Sequence, residues 1–516
     1  MLARAIRPTS LASRGLTRSS ATSSLRSINT AAQSAPTPAS SGSIADVFAT
    51  LSGGSLEDAL PPRFSQLKRQ IVNSEPGFQA HLEQSWRTLL PRLSSELDDI
   101  SRLQQQVFPS IEAGQELDPS AVAEVKKRGV VVVRNVVPSS QALEWKDSIR
   151  RYASSNHATG FPADDPQVYE LYWSRAQVAA RSHSEVLRAS REMLKMWHRP
   201  AGEEEGEELG VEQLADMETP LCYADRLRIR HPGDAKFALG PHIDGGGVER
   251  WEDPTFLSIW RDILSPRGQG WTRFDNWSLG PRGERMTART AMYNGPGQCS
   301  VFRPWQGWLS LSHTGPNEGT LRVLPNLKEA TAYIVMRPFF EAVRPREACG
   351  STEEYLDAGN WRFDGQSARF PGCSLGHNIE LSSATHPHLR LDSSMISLCD
   401  VQPGDMVLWS CDAVHAVESR HAGRGDSSVM YIPAIPLTAN NWRYVRAQAD
   451  CFKQGKPPSD FPQGQGESNF TQAGGRAKPQ DVSNDIARTA MGLETPPNVE
   501  TADEGTKKLR AWCAGE

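Results

Sequence analysis

Three residues stand out for the chemistry that their types and spacing allow. His242 and Asp244 lie two positions apart in Gly240-Pro241-His242-Ile243-Asp244-Gly245-Gly246-Gly247. In an extended strand, residues i and i+2 project to one face, so an imidazole and a carboxylate can aim at a single point. The glycines that follow let the backbone turn sharply and leave room beside that point. Farther along, Pro403-Gly404-Asp405 reads as a turn, Met406 to Trp409 as a strand entering a core, and His415 as the opening of the next strand, between Val414 and Val417. Two histidines and one carboxylate on a common face are a ligand set for divalent iron that leaves coordination positions open. Spacing alone establishes that such a facial triad is available, and no more. His313, before Gly315-Pro316, and His421, in a polar turn, compete for the third position on weaker grounds.

These ligands need rigid elements to hold them. From 220 to 436, short apolar or alternating segments are separated by Gly, Pro, Asn and Asp: Leu227 to Ile229, Gln298 to Phe302, Trp308 to Leu311, Thr320 to Leu324, Ala332 to Met336, Met406 to Trp409 and Ser428 to Pro433. Many short strands with regular turn signals predict a sandwich or barrel. Upstream, Val130-Val131-Val132-Val133, bounded by Gly129 and Pro138, reads as a buried strand. Helical periodicity covers about 44 to 112, 139 to 153 and 174 to 197, and Asn441 to Cys451 reads as a further helix. Residues 454 to 482, rich in Gly, Pro, Gln and Ser, read as loop. The expected division is therefore a leader over 1–43, a helical extension over 44–115, a mainly β domain with flanking helices over 116–440, and a C-terminal helix with a largely irregular tail over 441–516. The tryptophans at 251, 260, 271, 305 and 308 are read first as core, with a pocket wall as the alternative. Arg226, Arg228 and Arg230 alternate with apolar residues and share one strand face.

Composition removes several function classes. A net charge of −5 over 516 residues gives no electrostatic case for nucleic acid. The acidic run Glu203 to Glu208 is read as a solvated loop. The eight cysteines contain no CxxC pair, so neither a zinc ribbon nor a redox dithiol is indicated. No run of 18 apolar residues predicts a transmembrane helix. Phosphate-binding Gly-rich loops of the Gly-x-Gly-x-x-Gly and Gly-x-x-x-x-Gly-Lys kinds are absent from the sequence. Residues 1 to 45 carry five arginines, many Ser and Thr, and no acid. That composition predicts a mitochondrial transit peptide, with a cytoplasmic location as the alternative.

The stretch from about 125 to 440 resembles the phytanoyl-CoA hydroxylase-like branch of the Fe(II)/2-oxoglutarate oxygenases, and within it a family labelled only as a domain of unknown function. The matching residues are Gly129 to Val132, Pro241 to Asp244, Gly307 to Leu311, Asn317-Glu318-Gly319-Thr320-Leu321-Arg322-Val323-Leu324-Pro325, and Pro403 to His415. The resemblance implies a double-stranded β-helix, a jelly-roll, cupin-like core. It implies iron held by His242, Asp244 and His415, with 2-oxoglutarate and O₂ as cosubstrates and hydroxylation of a small molecule as the outcome. It also implies an Arg about ten residues after the distal histidine, pairing with the far carboxylate of 2-oxoglutarate. Here Ser427-Ser428-Val429-Met430 occupies the strand expected to carry it. Arg424, Arg303 and Arg228 are the candidates for that role. The rival readings are a cupin-like metalloenzyme that does not use 2-oxoglutarate, and a non-catalytic barrel that binds a metabolite. Oligomeric state is not fixed by the sequence.

Overall fold

The computed structural model describes residues 48–50, 59–200, 208–235, 238–293, 295 and 298–516. The expected leader over 1–43 and nearly all of the acidic run lie outside them.

The N-terminal region is helical, as its periodicity requires. The helix Phe78–Leu103 turns Leu82, Trp86, Leu89, Leu93, Leu97 and Ile100 inward. These positions recur every three or four residues, so they form one apolar stripe. Trp86 stacks on Phe340 with ring centroids 4.1 Å apart, which ties this helix to the two-stranded sheet of Phe340–Ala342 and Trp361–Phe363.

Two sheets organise the remainder. In an eight-stranded sheet, Ser110–Glu112, Val130–Arg134, Met406–Ser410, Trp305–Ser310, Ser427–Tyr431, Leu227–Arg230, Val168–Tyr169 and Gly160–Phe161 are neighbours in that order. A five-stranded sheet runs Ile379–Glu380, His242–Ile243, His415–Val417, Leu321–Val323, Ile396–Ser397. Every pairing in the smaller sheet is antiparallel. The chain passes repeatedly from one sheet to the other. Leu227–Arg230, Trp305–Ser310, Met406–Ser410 and Ser427–Tyr431 lie in the larger sheet, and His242–Ile243, Leu321–Val323 and His415–Val417 alternate with them in the smaller one. Val130–Val133 is buried throughout, as an apolar β-branched run between two neighbouring strands should be.

The expectation of a mainly β chain needs correction, because helices hold more residues than strands and the sheets are mixed with them. Ala332 to Met336 was expected to be a strand and belongs to the helix Lys328–Met336. That helix is buried along its last eight residues, which removes the polar face that would have shown its period. Asn326 fixes its start by accepting from the Ala330 N–H at 3.0 Å. Gln298 to Phe302 is irregular instead of extended. The predicted helix over 174 to 197 is two helices, Arg175–Arg181 and Ser184–Leu194, with His183 capping the second. At the C-terminus, Ala439–Gln454 is helical, and Leu509 and Cys513 of Glu504–Gly515 join a second core cluster with Trp442 and Leu221. Among the described residues, no helix is long and apolar enough to cross a membrane.

Candidate metal centre

His242 and His415 occupy adjacent strands of the smaller sheet and are directly paired across it. Asp244 follows His242 by two, on the same face, at the point where the chain leaves the strand. Gly245 and Gly246 then adopt φ of 78° and 95°, which a side chain tolerates poorly. A Cβ on Gly246 would also come within 3.1 Å of the Thr290 carbonyl oxygen. The sharp turn after Asp244 therefore depends on glycine.

The three side chains converge. His242 Nε2 lies 3.6 Å from Asp244 Oδ1, and His415 Nε2 lies 3.8 Å from Asp244 Oδ2. One ligand atom from each residue falls within 4.8 Å of the others, and among the described residues this is the group of His, Cys, Asp and Glu so placed. Both imidazoles are oriented by the backbone. His242 Nδ1 donates to the Gly240 carbonyl at 2.7 Å, and His415 Nδ1 donates to the Ala413 carbonyl at 3.1 Å. A carbonyl can only accept, so Nδ1 carries the proton in each ring and the Nε2 lone pair faces the carboxylate. Phe48 packs edge-on against His242 at 4.7 Å, and Trp409 lies 5.2 Å from the His415 ring.

The electrostatics suit a cation. Burial, reinforced by His242, pushes the His415 pKa down to about 3, so the ring is neutral near neutral pH. Burial works against ionisation of Asp244, but His242, His415, Arg303 and Arg250 together hold its carboxyl below the usual range. A neutral imidazole at His415 and an ionised carboxylate at Asp244 are protonation states that a divalent metal needs, and the donor set of two histidines and one carboxylate fits iron.

The triad opens on a cavity lined by residues of both sheets. Leu321, Val417 and the two histidines come from the smaller sheet, and Arg228, Gly307, Trp308, Trp409, Val429 and Tyr431 come from the larger one. Of the tryptophans at 251, 260, 271, 305 and 308, only Trp308 lines this cavity, and the other four are buried elsewhere. His313 is half exposed between Glu318 and Asp400, and His421 lies 2.8 Å, through its backbone N–H, from the Asp234 carbonyl. Neither joins the triad.

The three candidate arginines part company. Arg424 is exposed in the turn before Ser427–Tyr431 and does not line the cavity. A long cation in a Gly-flanked polar turn is stabilised by water, which explains its position. Arg303 lines the cavity, but its Nη2 donates to Asp244 Oδ2 at 3.2 Å and its Nη1 lies 3.8 Å from Asp225 Oδ2. Arg228 is buried, lines the cavity and stands directly across from Val429 on the neighbouring strand. Its neighbour Arg230 faces the same way but is consumed by Asp234 and by the Glu418 carbonyl.

Several contributors were not visible in the sequence. Asn378 Nδ2 donates to Asp244 Oδ1 at 2.8 Å. Arg250 Nη2 donates to the Asp244 carbonyl at 3.0 Å, and Arg250 and Arg285 both pair with Asp412 in the turn before His415. Asp412 sits three residues before a ligand, and that proximity was the available signal. Asn378 lies in an irregular segment with no motif around it.

Comparison with known proteins agrees on one family. The chain is 28% identical over 457 residues to the uncharacterised protein YbiU of Escherichia coli (strain K12), covering 85% of this chain and 98% of that one. It is similar to the crystal structure of GlcNAc Inducible Gene 2, GIG2, from Candida albicans, with a TM-score of 0.76 and 28% identity over 89% of this chain and 95% of that one. The Gig2-like family model matches residues 58–493. With so much of its length matched, and with the candidate triad inside the matched region, the chain belongs to the Gig2-like family.

Proposed function

We propose that this chain is an Fe(II)- and 2-oxoglutarate-dependent dioxygenase of the phytanoyl-CoA hydroxylase-like kind, hydroxylating a small molecule inside a double-stranded β-helix. One observation carries the reading. His242, Asp244 and His415 converge at the wall of a cavity between two sheets, with both Nε2 lone pairs aimed at the carboxylate. The repeated passage of the chain between the two sheets supports the jelly-roll reading.

Bound iron and 2-oxoglutarate would supply the oxidising power, with O₂ as the co-reactant. The protein's own residues do the positioning. The triad gives three ligands on one side and leaves the cavity side open. Arg228 is the residue best placed to hold the far carboxylate of 2-oxoglutarate. It projects from the strand beside Ser427–Tyr431, so it can serve from next door the place where relatives of this branch carry their arginine. Thr320 adds a donor. Its hydroxyl is buried, lines the same cavity and has no hydrogen-bond partner among the described residues. A buried orphan hydroxyl is costly unless a ligand satisfies it. The rest of the cavity, with Tyr223, Asp225, Arg226 and Phe461, would receive the substrate.

The test is anaerobic mixing of the purified protein with Fe(II) and 2-oxoglutarate. A visible charge-transfer band, absent from His242→Ala, is expected. Metal binding without the band would instead mark a metalloenzyme that does not chelate 2-oxoglutarate, and absence of both would leave a non-catalytic barrel.

A further inference from the structure

The carboxylate of Asp244 is gripped at both oxygens by residues that are not themselves ligand candidates. Asn378 donates its amide to Oδ1 at 2.8 Å, and Arg303 donates Nη2 to Oδ2 at 3.2 Å. The two donors come from different parts of the fold. Asn378 immediately precedes Ile379–Glu380, the strand that pairs with His242–Ile243, whereas Arg303 precedes Trp305–Ser310 in the larger sheet. Each donor is itself anchored. The strand after Asn378 is fixed by the Glu380 to His242 pairing. Arg303 is held from behind by Asp225 at 3.8 Å and lies over the Tyr223 ring at 5.7 Å. Asn378 and Arg303 are both largely buried, so water competes weakly for these bonds.

This grip has a coordination consequence. An aspartate free to rotate must be ordered before it can ligate a metal. A carboxylate oxygen keeps a second lone pair after accepting one hydrogen bond, so one fixed donor on each oxygen holds Asp244 against rotation and still leaves it able to ligate, with Oδ1 facing His242 Nε2 and Oδ2 facing His415 Nε2. We propose that Arg303 and Asn378 are positioning residues that hold the Asp244 carboxylate in this orientation and so set the affinity of the site for a divalent metal. This rests on the oxygenase reading for its purpose, but the clamp itself concerns the metal site alone.

The experiment uses Co(II) as the probe metal on the full-length chain, because the intensity of its visible absorption reports coordination number. Arg303→Met and Asn378→Ala should each weaken Co(II) binding by about 10–100-fold, the usual effect of removing a group that orients a metal ligand. Both should also change the Co(II) visible spectrum, because the carboxylate no longer meets the ion in one fixed orientation. Arg303→Lys, which keeps the charge and one donor, should recover part of both effects and guards against a variant that fails to fold. Unchanged spectra and affinities within threefold for both Arg303→Met and Asn378→Ala would overturn the clamp, as would weaker binding with an unchanged spectrum. A chain that binds Co(II) with these variant effects but shows no band with Fe(II) and 2-oxoglutarate would keep the clamp and remove the oxygenase reading. A chain that binds no Co(II) would remove both.

Discussion

His242 and His415 are cross-strand partners whose ring centroids lie 4.1 Å apart, although 173 positions separate them in the chain. Two imidazoles that close, with both Nε2 atoms turned to one carboxylate, gain little from each other and much from a shared cation. A divalent metal should therefore stabilise the folded chain by mass action, by about 2.7 kcal/mol at a metal concentration a hundred times its Kd. Thermal unfolding with and without Mn(II) measures this. The wild type should show a clear upward shift in midpoint, and His242→Ala and His415→Ala should show none. Equal shifts in the wild type and the two variants would mean that the metal binds elsewhere.

Arg228 and Arg424 make opposite predictions about 2-oxoglutarate. A charge-assisted pair with a carboxylate contributes about 1.5–3 kcal/mol, so Arg228→Met should raise the 2-oxoglutarate Kd by roughly 10–150-fold. Metal binding in the absence of cosubstrate should stay near the wild-type value, because no ligand is touched. Arg424→Ala should change neither quantity by more than about twofold, as befits an exposed turn residue. Titration of the anaerobic Fe(II) protein with 2-oxoglutarate decides between them. A large effect of Arg424→Ala would return the anchoring role to that turn.

The site was legible where its chemistry is local. His242 and Asp244 could be paired from the two-residue period of a strand, and His415 from a Pro-Gly-Asp turn followed by two short apolar runs. Strand registers gave no such signal, so the pairing of His415 with His242 waited on the structure. Asn378 was out of reach for the same reason: it contacts Asp244 from 134 positions away and sits in a segment without periodicity. Arg303 was visible as a cation near the site, with anchoring and pairing to a carboxylate both open, and it is the pairing that the structure holds. In the fold, Val130 to Val133 announced itself through β-branching, whereas Lys328–Met336 did not announce itself as a helix because burial had removed its polar face.

The turn that delivers His415 depends on a buried charge cluster. Asp412 lies 2.7 Å from Arg285 and 3.5 Å from Arg250, with all three side chains almost inaccessible to water. Burial resists its ionisation, but Arg285 and then Arg250 hold its carboxyl below the usual range. Replacing it with asparagine would leave two buried cations without a counter-charge, a loss of about 3–5 kcal/mol. Arg250 also donates to the Asp244 carbonyl, so metal affinity should fall with stability. Urea unfolding of Asp412→Asn, with a parallel metal titration, tests both. A loss below about 1 kcal/mol with unchanged affinity would show that the cluster is not what holds the turn.

A pair of histidines outside the triad should govern acid stability. His388 is buried, accepts from the Tyr333 hydroxyl through Nδ1 at 3.2 Å and donates Nε2 to the Leu356 carbonyl at 3.1 Å. Trp86 and Trp361 close around its ring. Burial, then the charge of Arg337, lowers its pKa from 6.5 to about 3, and burial with Arg337 lowers that of His386 in the same direction. The sign follows from proton counting. Below pH 6.5 the unfolded chain takes up a proton at His388 that the folded chain refuses, so this contribution to stability is present above pH 6.5 and is lost as pH falls from there towards 3. Between pH 7 and pH 5 the loss is about 2 kcal/mol for one such histidine. His388→Gln cannot take up that proton, and its amide can still donate to Leu356. Its stability should therefore fall by about 2 kcal/mol less than that of the wild type over this interval, measured by urea unfolding at each pH. Parallel pH profiles for the two proteins would show that His388 takes up its proton in the folded chain as readily as in the unfolded one.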